Sequence, residues 1–353
     1  MARSVAYARS RERVTRICDS AADARTLRLR LLEELRLVVG FNAYAWVLTD
    51  PETSVGSAPL ADVPCLPELP RLIALKYLTR INRWTTMRAP VALLQEETGG
   101  DPSRSLLWQG LLCRYGIGDV ASLVFRDRFG CWGFLDLWKS GTSARFDQAE
   151  AAFLTDIAGP VTTALRRAQA NAFAGGRGSR EPRKVGPVVL LLSPALEVLR
   201  QTPETQEYLR ILVPPAADRP PVPASAYNAA AQLLAIEADV DPNPPCARVH
   251  MSDGLWVTLR AARLGGSEAG QDGDIAVTIE ETSPPERVAL FALAFGLTAR
   301  ESELLSHLVT GADTRELARR MFLSEHTVQD HLKSMFAKTS AHNRRTLLSR
   351  VLG

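Results

Sequence analysis

Near the C-terminus, one stretch concentrates side chains that can read a nucleic acid. Ser324 stands where a helix cap belongs, and Val328, Leu332, Met335 and Phe336 recur at i, i+4, i+7 and i+8. That spacing makes one apolar stripe and leaves His326, Gln329, Asp330 and Lys333 together on the polar side. Gln329 can bond adenine N6 and N7, Lys333 can donate to guanine O6 and N7, and Asp330 can accept from cytosine N4. An α-helix fits the major groove, so a polar helix face of this kind points to base readout.

Such a helix needs a partner to hold it, and the preceding residues supply one. Thr298 and Glu301 form a capping-box pair, and Leu304, Leu305 and Leu308 follow as one apolar face. Gly311 stops that helix. Asp313 and Glu316 make a second cap-and-return pair ahead of Leu317, Ala318 and Met321. Two short helices joined by a tight turn, the second polar on its outer side, describe a helix-turn-helix.

These positions closely resemble the LuxR/NarL-type DNA-binding domain. Its opening Leu-Thr-x-Arg-Glu stands here as Leu297-Thr298-Ala299-Arg300-Glu301. Its Ser-x-x-Thr-Val-x-x-His stands as Ser324 through His331, followed by Lys333, Lys338 and Arg344. The resemblance implies that Gln329, Asp330 and Lys333 face bases, and that Thr327, Lys338 and Arg344 lie near phosphates. His331 then sits in the recognition helix as a packing or phosphate-contacting group, since Met335 rather than a second ligand stands at i+4. Gln329 and Asp330 depart from the family's usual lysine and apolar residue, so no operator sequence carries over. A sigma-factor-like promoter-binding domain also ends on a helix-turn-helix. It would bring a promoter-melting region, which this sequence does not show.

A length of 353 residues suggests two or three domains. Residues 175–184 are Gly-, Arg- and Pro-rich and read as a flexible linker, and Ser283-Pro284-Pro285 marks a second break. The expected domains are 1–174, 185–283 and 284–353, with 175–184 as the linker. In the first, Leu27, Leu31, Leu32, Leu35 and Val38 keep helical spacing. Residues 41–49 read as a strand closed by Asp50-Pro51-Glu52-Thr53, and 69–77 and 103–113 as helices. Residues 119–127 and 131–138 form a hairpin about Arg128-Phe129-Gly130, and 147–171 a long helix. One antiparallel sheet with helices on one side fits that order. The order resembles a GAF domain.

In the middle segment, 188–192 and 196–199 read as strands about Ser193-Pro194-Ala195, and 205–212 and 224–237 as helices. A hairpin over 247–263 turns at Ser252-Asp253-Gly254, and 275–280 is a last strand. Residues 214–223 and 265–274 read as inserted loops. Two strands, helices and three strands are similar to a PAS domain. The fold class is therefore multidomain α+β, with GAF-like and PAS-like sensor domains before an all-α, four-helix helix-turn-helix domain.

Chemistry elsewhere is sparse. Five of six tryptophans lie in the first domain; Trp84 and Trp108, with Arg83 and Tyr77, are candidates to line a ligand pocket. Residues 1–174 contain no histidine, which disfavours haem; a cysteine ligand, or bilin attachment at Cys113 or Cys131, stays open. No cofactor is expected. No phosphate-binding Gly-rich motif ending in Lys, no nucleophile elbow and no zinc-protease motif occurs, so the chain does not read as an enzyme. Five cysteines without a CxxC pair argue against a disulfide framework. The longest apolar run, 288–295, is too short for a span of about 20 residues, and the N-terminus lacks a signal's apolar core. The expectation is a cytoplasmic, membrane-free homodimer on double-stranded DNA, with a small-molecule effector and RNA polymerase as further partners. The alternative is a scaffold whose first two domains serve dimerisation and protein partners. Arg28, Leu31 and Leu35, with Leu347, Leu348 and Val351, are the expected pairing faces.

Overall fold

In the computed structural model, the described residues are 2–21, 23–141, 143–173, 188–212, 223–251, 255–265 and 273–353. The first unit opens with helices α1 (Ala2–Ser20) and α2 (Ala24–Arg36). Strands β1 (Ala43–Thr49) and β2 (Gly56–Asp62) precede α3 (Leu69–Leu78), β3 (Val91–Leu93), α4 (Leu94–Glu97) and α5 (Leu106–Gly110). The hairpin β4 (Ile117–Asp127) and β5 (Gly130–Ser140) leads into α6 (Gln148–Asn171). All five strands form one antiparallel sheet in the order β2-β1-β5-β4-β3. The expected hairpin pairs Val120 with Trp138 and Asp127 with Gly130. Gly130 has φ +144°, and a Cβ there would sit 2.4 Å from the Pro51 carbonyl oxygen.

Both faces of this sheet are covered, not one. Helices α1, α2 and α6 pack over Trp46, Phe125 and Leu135. Val47 and Phe134 on the other face join a second core with Tyr77 of α3. The reason lies in β4 and β5, which are buried at nearly every position, as strands covered on two sides are. Helix α1 and strand β2 have no counterpart in the sequence reading. Tyr7 of α1 stacks on Phe153 of α6 at 4.9 Å, and Arg3 pairs with Asp147 at 2.6 Å, so α1 is anchored by a helix far along the chain.

The second unit holds β6 (Val188–Leu192), β7 (Val198–Gln201), α7 (Thr205–Leu212), α8 (Ala224–Glu237), β8 (Cys246–His250), β9 (Trp256–Arg263) and β10 (Ile275–Glu281). Its order, β7-β6-β10-β9-β8, repeats that of the first sheet when strands are counted within each unit. Strand β7 starts two residues later than expected, because the turn extends through Leu196 at φ +62°. The hairpin pairs His250 with Trp256; its turn at Ser252-Asp253-Gly254 lies outside the described residues. So do the linker 175–184 and most of the loops at 214–223 and 265–274.

Helix α8 is buried almost all round, which its alanines permit: Ala226, Ala229, Ala230, Ala231 and Ala235 are fully enclosed. It packs on its own sheet and on α3 and β2 of the first unit. Buried charges join the two units beside it. Arg83 pairs with Asp241 at 2.8 Å, and Arg248 with Asp50 at 2.7 Å.

Helix α9 (Pro284–Ala294) starts at a Ser283–Glu286 capping box and carries the last region: α10 (Ala299–Val309), α11 (Thr314–Met321), α12 (Glu325–Thr339) and α13 (Arg344–Leu352). Phe291 of α9 and Trp256 both lie against Phe173, with ring centroids at 5.2 and 4.7 Å. Arg287 donates to the Val351 carbonyl at 2.5 Å, tying α9 to α13.

The expected pairing faces are corrected by burial. Leu31, Leu35, Leu347 and Val351 are enclosed within the chain, and Arg28 donates to the Trp46 and Ala58 carbonyls. Their apolar spacing serves the intramolecular core.

Candidate functional site

The capping residues read from the sequence set the geometry of the last region. Thr298 accepts from the Glu301 amide, and the Glu301 carboxylate accepts from the Thr298 amide at 2.7 Å. Asp313 accepts from the Glu316 amide at 2.8 Å, but Glu316 makes no return; it pairs with Arg320 at 2.5 Å. Ser324 caps α12 through the Thr327 amide. Between α11 and α12, Phe322 sits in the left-handed region at φ +55°, its ring 95% exposed. Gly311, at φ +88°, ends α10 as expected.

On α12, Val328, Leu332 and Met335 are buried, and Phe336 is half-buried. Gln329, Asp330 and Lys333 are exposed on one face, Lys333 with 73% of its side chain in solvent. Lys333 lies 3.3 Å from Asp330, and His326 lies 3.6 Å from the same carboxylate. Asp330 is thus flanked by Lys333 and His326 of its own helix. Gln329 reaches back to the Thr314 hydroxyl at 3.5 Å. Thr327 and His331 are half-buried beside them.

Lys338 and Arg344 have partners inside the domain. Lys338 pairs with Glu301 at 2.6 Å, and Ser334 donates to the other oxygen of Glu301 at 2.6 Å. Burial pushes the Glu301 carboxyl up, but the bonds from Lys338, Ser334 and the Thr298 amide prevail and hold it down at about 2. Arg344 donates to the Ala312 carbonyl at 3.3 Å and the Thr314 hydroxyl at 3.2 Å. The sequence shows Glu301 as a capping residue; nothing local marks it as the partner of Lys338.

This arrangement is a helix-turn-helix DNA-binding domain with its second helix open to solvent. Residues 296–351 match the family described as bacterial regulatory proteins, luxR family (GerE), and form a LuxR-type domain. The CsgBAC operon transcriptional regulatory protein of Escherichia coli is 45% identical over 53 residues, 15% of this chain and 24% of that protein. The monoamine regulon transcriptional regulator of Klebsiella aerogenes is 43% identical over 54 residues, 15% of this chain and 24% of its own. The chain thus spans about 24% of the length of the curated relatives it matches. A Vibrio cholerae VqmA dimer, solved without target DNA, is 17% identical over 48% of this chain and 83% of its own, at a TM-score of 0.20. A score that low says nothing about the two sheet units.

A cavity of about 60 Å³ lies in the first unit, on the sheet face toward α3 and α8. Val47, Ile73, Tyr77 and Phe134 line it, with Ala224 and Asn228 of α8. Of the four expected pocket residues, Tyr77 is in this wall; its hydroxyl accepts from the Gly56 amide at 2.8 Å. Arg83 is spent on Asp241, Gln232 and the Tyr77 carbonyl. Trp84 stacks on Phe134 at 4.3 Å and donates to the Ser54 carbonyl. Trp108 donates to the Ile117 carbonyl at 2.8 Å. The wall also contains Lys76, Asp136 and Trp138, which the sequence reading did not select. Lys76 among the apolar residues of 72–77 was the available signal. Cys131 is buried in the sheet, where burial pushes its thiol up.

Proposed function

We propose that this chain is a one-component, DNA-binding transcriptional regulator. In this reading a GAF-like first unit and a PAS-like second unit receive a small-molecule effector. They set the arrangement of two helix-turn-helix domains in a homodimer on double-stranded DNA in the cytoplasm, and RNA polymerase is a further partner. No helix among the described residues is long and apolar enough to cross a membrane. The observation that carries the proposal is the exposed row Gln329, Asp330 and Lys333 on a capped helix of a LuxR-type domain. Thr327, His331, Lys338 and Arg344 flank that row as phosphate-side or supporting groups. Two-fold operators place recognition helices roughly 34 Å apart, so a chain with one helix-turn-helix must pair. The strand order common to both sheets supports the GAF-like and PAS-like likeness. The cavity favours an effector over a scaffold that only dimerises and holds protein partners.

Selection from a random duplex library, with sedimentation at micromolar concentration, tests the reading. A dimer enriching a two-fold sequence is the expected result. A monomer with and without DNA, or a library that stays unenriched, sinks the proposal.

A further inference from the structure

The cavity wall is nearly all carbon, and its few polar groups set out a specific demand. Lys76 is buried, but its ammonium is satisfied: it pairs with Asp136 at 2.7 Å and donates to the Asn82 carbonyl at 3.2 Å. Asp136 also accepts from Ser122 at 2.7 Å. The pair is internally neutral and asks for no third charge. Trp138 differs. Its ring is 1% exposed, it lines the cavity, and its indole N–H has no acceptor among the described residues. An unmet buried donor is costly, so an acceptor brought by an occupant removes a penalty.

The wall is also composite. Ala224 and Asn228 belong to α8, whose alanines pack on the second sheet. Gly56 allows α8 this close, since a Cβ there would lie 3.0 Å from the Asn228 side chain. Of the lining residues, Ala61 is exposed, and Ala45, Pro59 and Leu69 are half-buried. An occupant touches the first sheet and the helix that joins both units.

We infer that this cavity binds a small neutral molecule, mostly hydrocarbon, whose single hydrogen-bond acceptor meets Trp138 Nε1. A net charge would be stranded among carbon walls beside a pair already neutral. The inference rests on reading the first unit as a small-molecule sensor.

Full-length protein carrying ¹⁵N-tryptophan tests it, with cyclopentanone, cyclopentane and cyclopentanecarboxylate as probes. Cyclopentanone should move one indole N–H signal, the one missing from Trp138→Phe. Cyclopentane should bind about five-fold more weakly for want of the acceptor, and the carboxylate should not bind. Ala45→Leu should abolish the cyclopentanone response while the other indole signals keep their positions, which shows the fold intact. A Trp138 signal unmoved by any probe, equal binding of the carboxylate, or undiminished cyclopentanone binding by Trp138→Phe overturns the inference. A metabolite that changes DNA affinity while the Trp138 signal stays still overturns this site and leaves the sensor reading standing. Cyclopentanone at Trp138 with unchanged DNA affinity supports the site and counts against the sensor reading.

Discussion

Charge is used in opposite ways at the junction between the two sheet units and on the outer face of α12. At the junction, Arg83 and Asp241 meet with 0% and 2% of their side chains exposed, and Arg248 meets Asp50. The partners are far apart in sequence and out of water. On α12, Asp330 has His326 at i−4 and Lys333 at i+3, all in solvent. Buried pairs are costly to break because the survivor is left unpaired, whereas exposed pairs contribute little to stability. The junction therefore bears on whether the chain folds in this arrangement, and the α12 face on what it binds.

The sharpest way to break that contrast is Arg83→Ala. It leaves Asp241 buried beside Thr85 without its cation, and a loss of about 3–5 kcal/mol is expected in urea unfolding. A loss below about 1 kcal/mol would mean that water reaches the junction and the two kinds of charge are alike.

Glu301 stands between the extremes, buried yet within the DNA-binding domain. Glu301→Ala removes an N-cap return and the partner of Lys338, for about 2 kcal/mol. Its folded pKa, about 2, is below its ordinary 4.5. Its contribution is therefore complete above pH 4.5 and is lost as pH falls toward 2. Thermal melts of wild type should decline across that window, and Glu301→Gln should flatten the decline. Parallel curves for the two proteins would refute the assignment.

Lys333→Ala should leave stability within about 0.5 kcal/mol, yet cost about 1–3 kcal/mol on the selected sequence and relax preference at one base pair. Unchanged affinity and preference would place the reading face elsewhere. Lys338→Ala gives the smallest effect on affinity and the finest discrimination. If its ammonium meets a phosphate as well as Glu301, the salt slope of binding drops by about one unit. If Glu301 occupies it fully, melting temperature falls and the slope holds.

What was legible in the sequence follows the range of the interactions. Thr298, Asp313 and Ser324 cap helices whose first-turn amides lie three residues on, so type and spacing reveal them. The hairpin about Gly130 and the turn at Asp50 are equally local; Asp50 Oδ1 accepts from the Glu52 and Thr53 amides. Arg248 donates to both oxygens of Asp50, and no neighbouring residue announces that. Helix α1 is illegible for the same reason: its few apolar residues become a face only against α6 and α2.

By itself, then, the sequence determined the helices of the LuxR-type domain, the polar row on α12 and the hairpins, because each depends on contacts within one turn of the chain. Only the tertiary structure decided that α8 lies between two sheets, that Arg83 is a rivet between units, and that Lys338 belongs to Glu301. It also placed Tyr77, and not Trp84, Trp108 or Arg83, in the wall of the cavity beside Trp138. Those outcomes depend on which distant surfaces meet, and burial sets both the cost of an unpaired charge and the demand of an unmet donor.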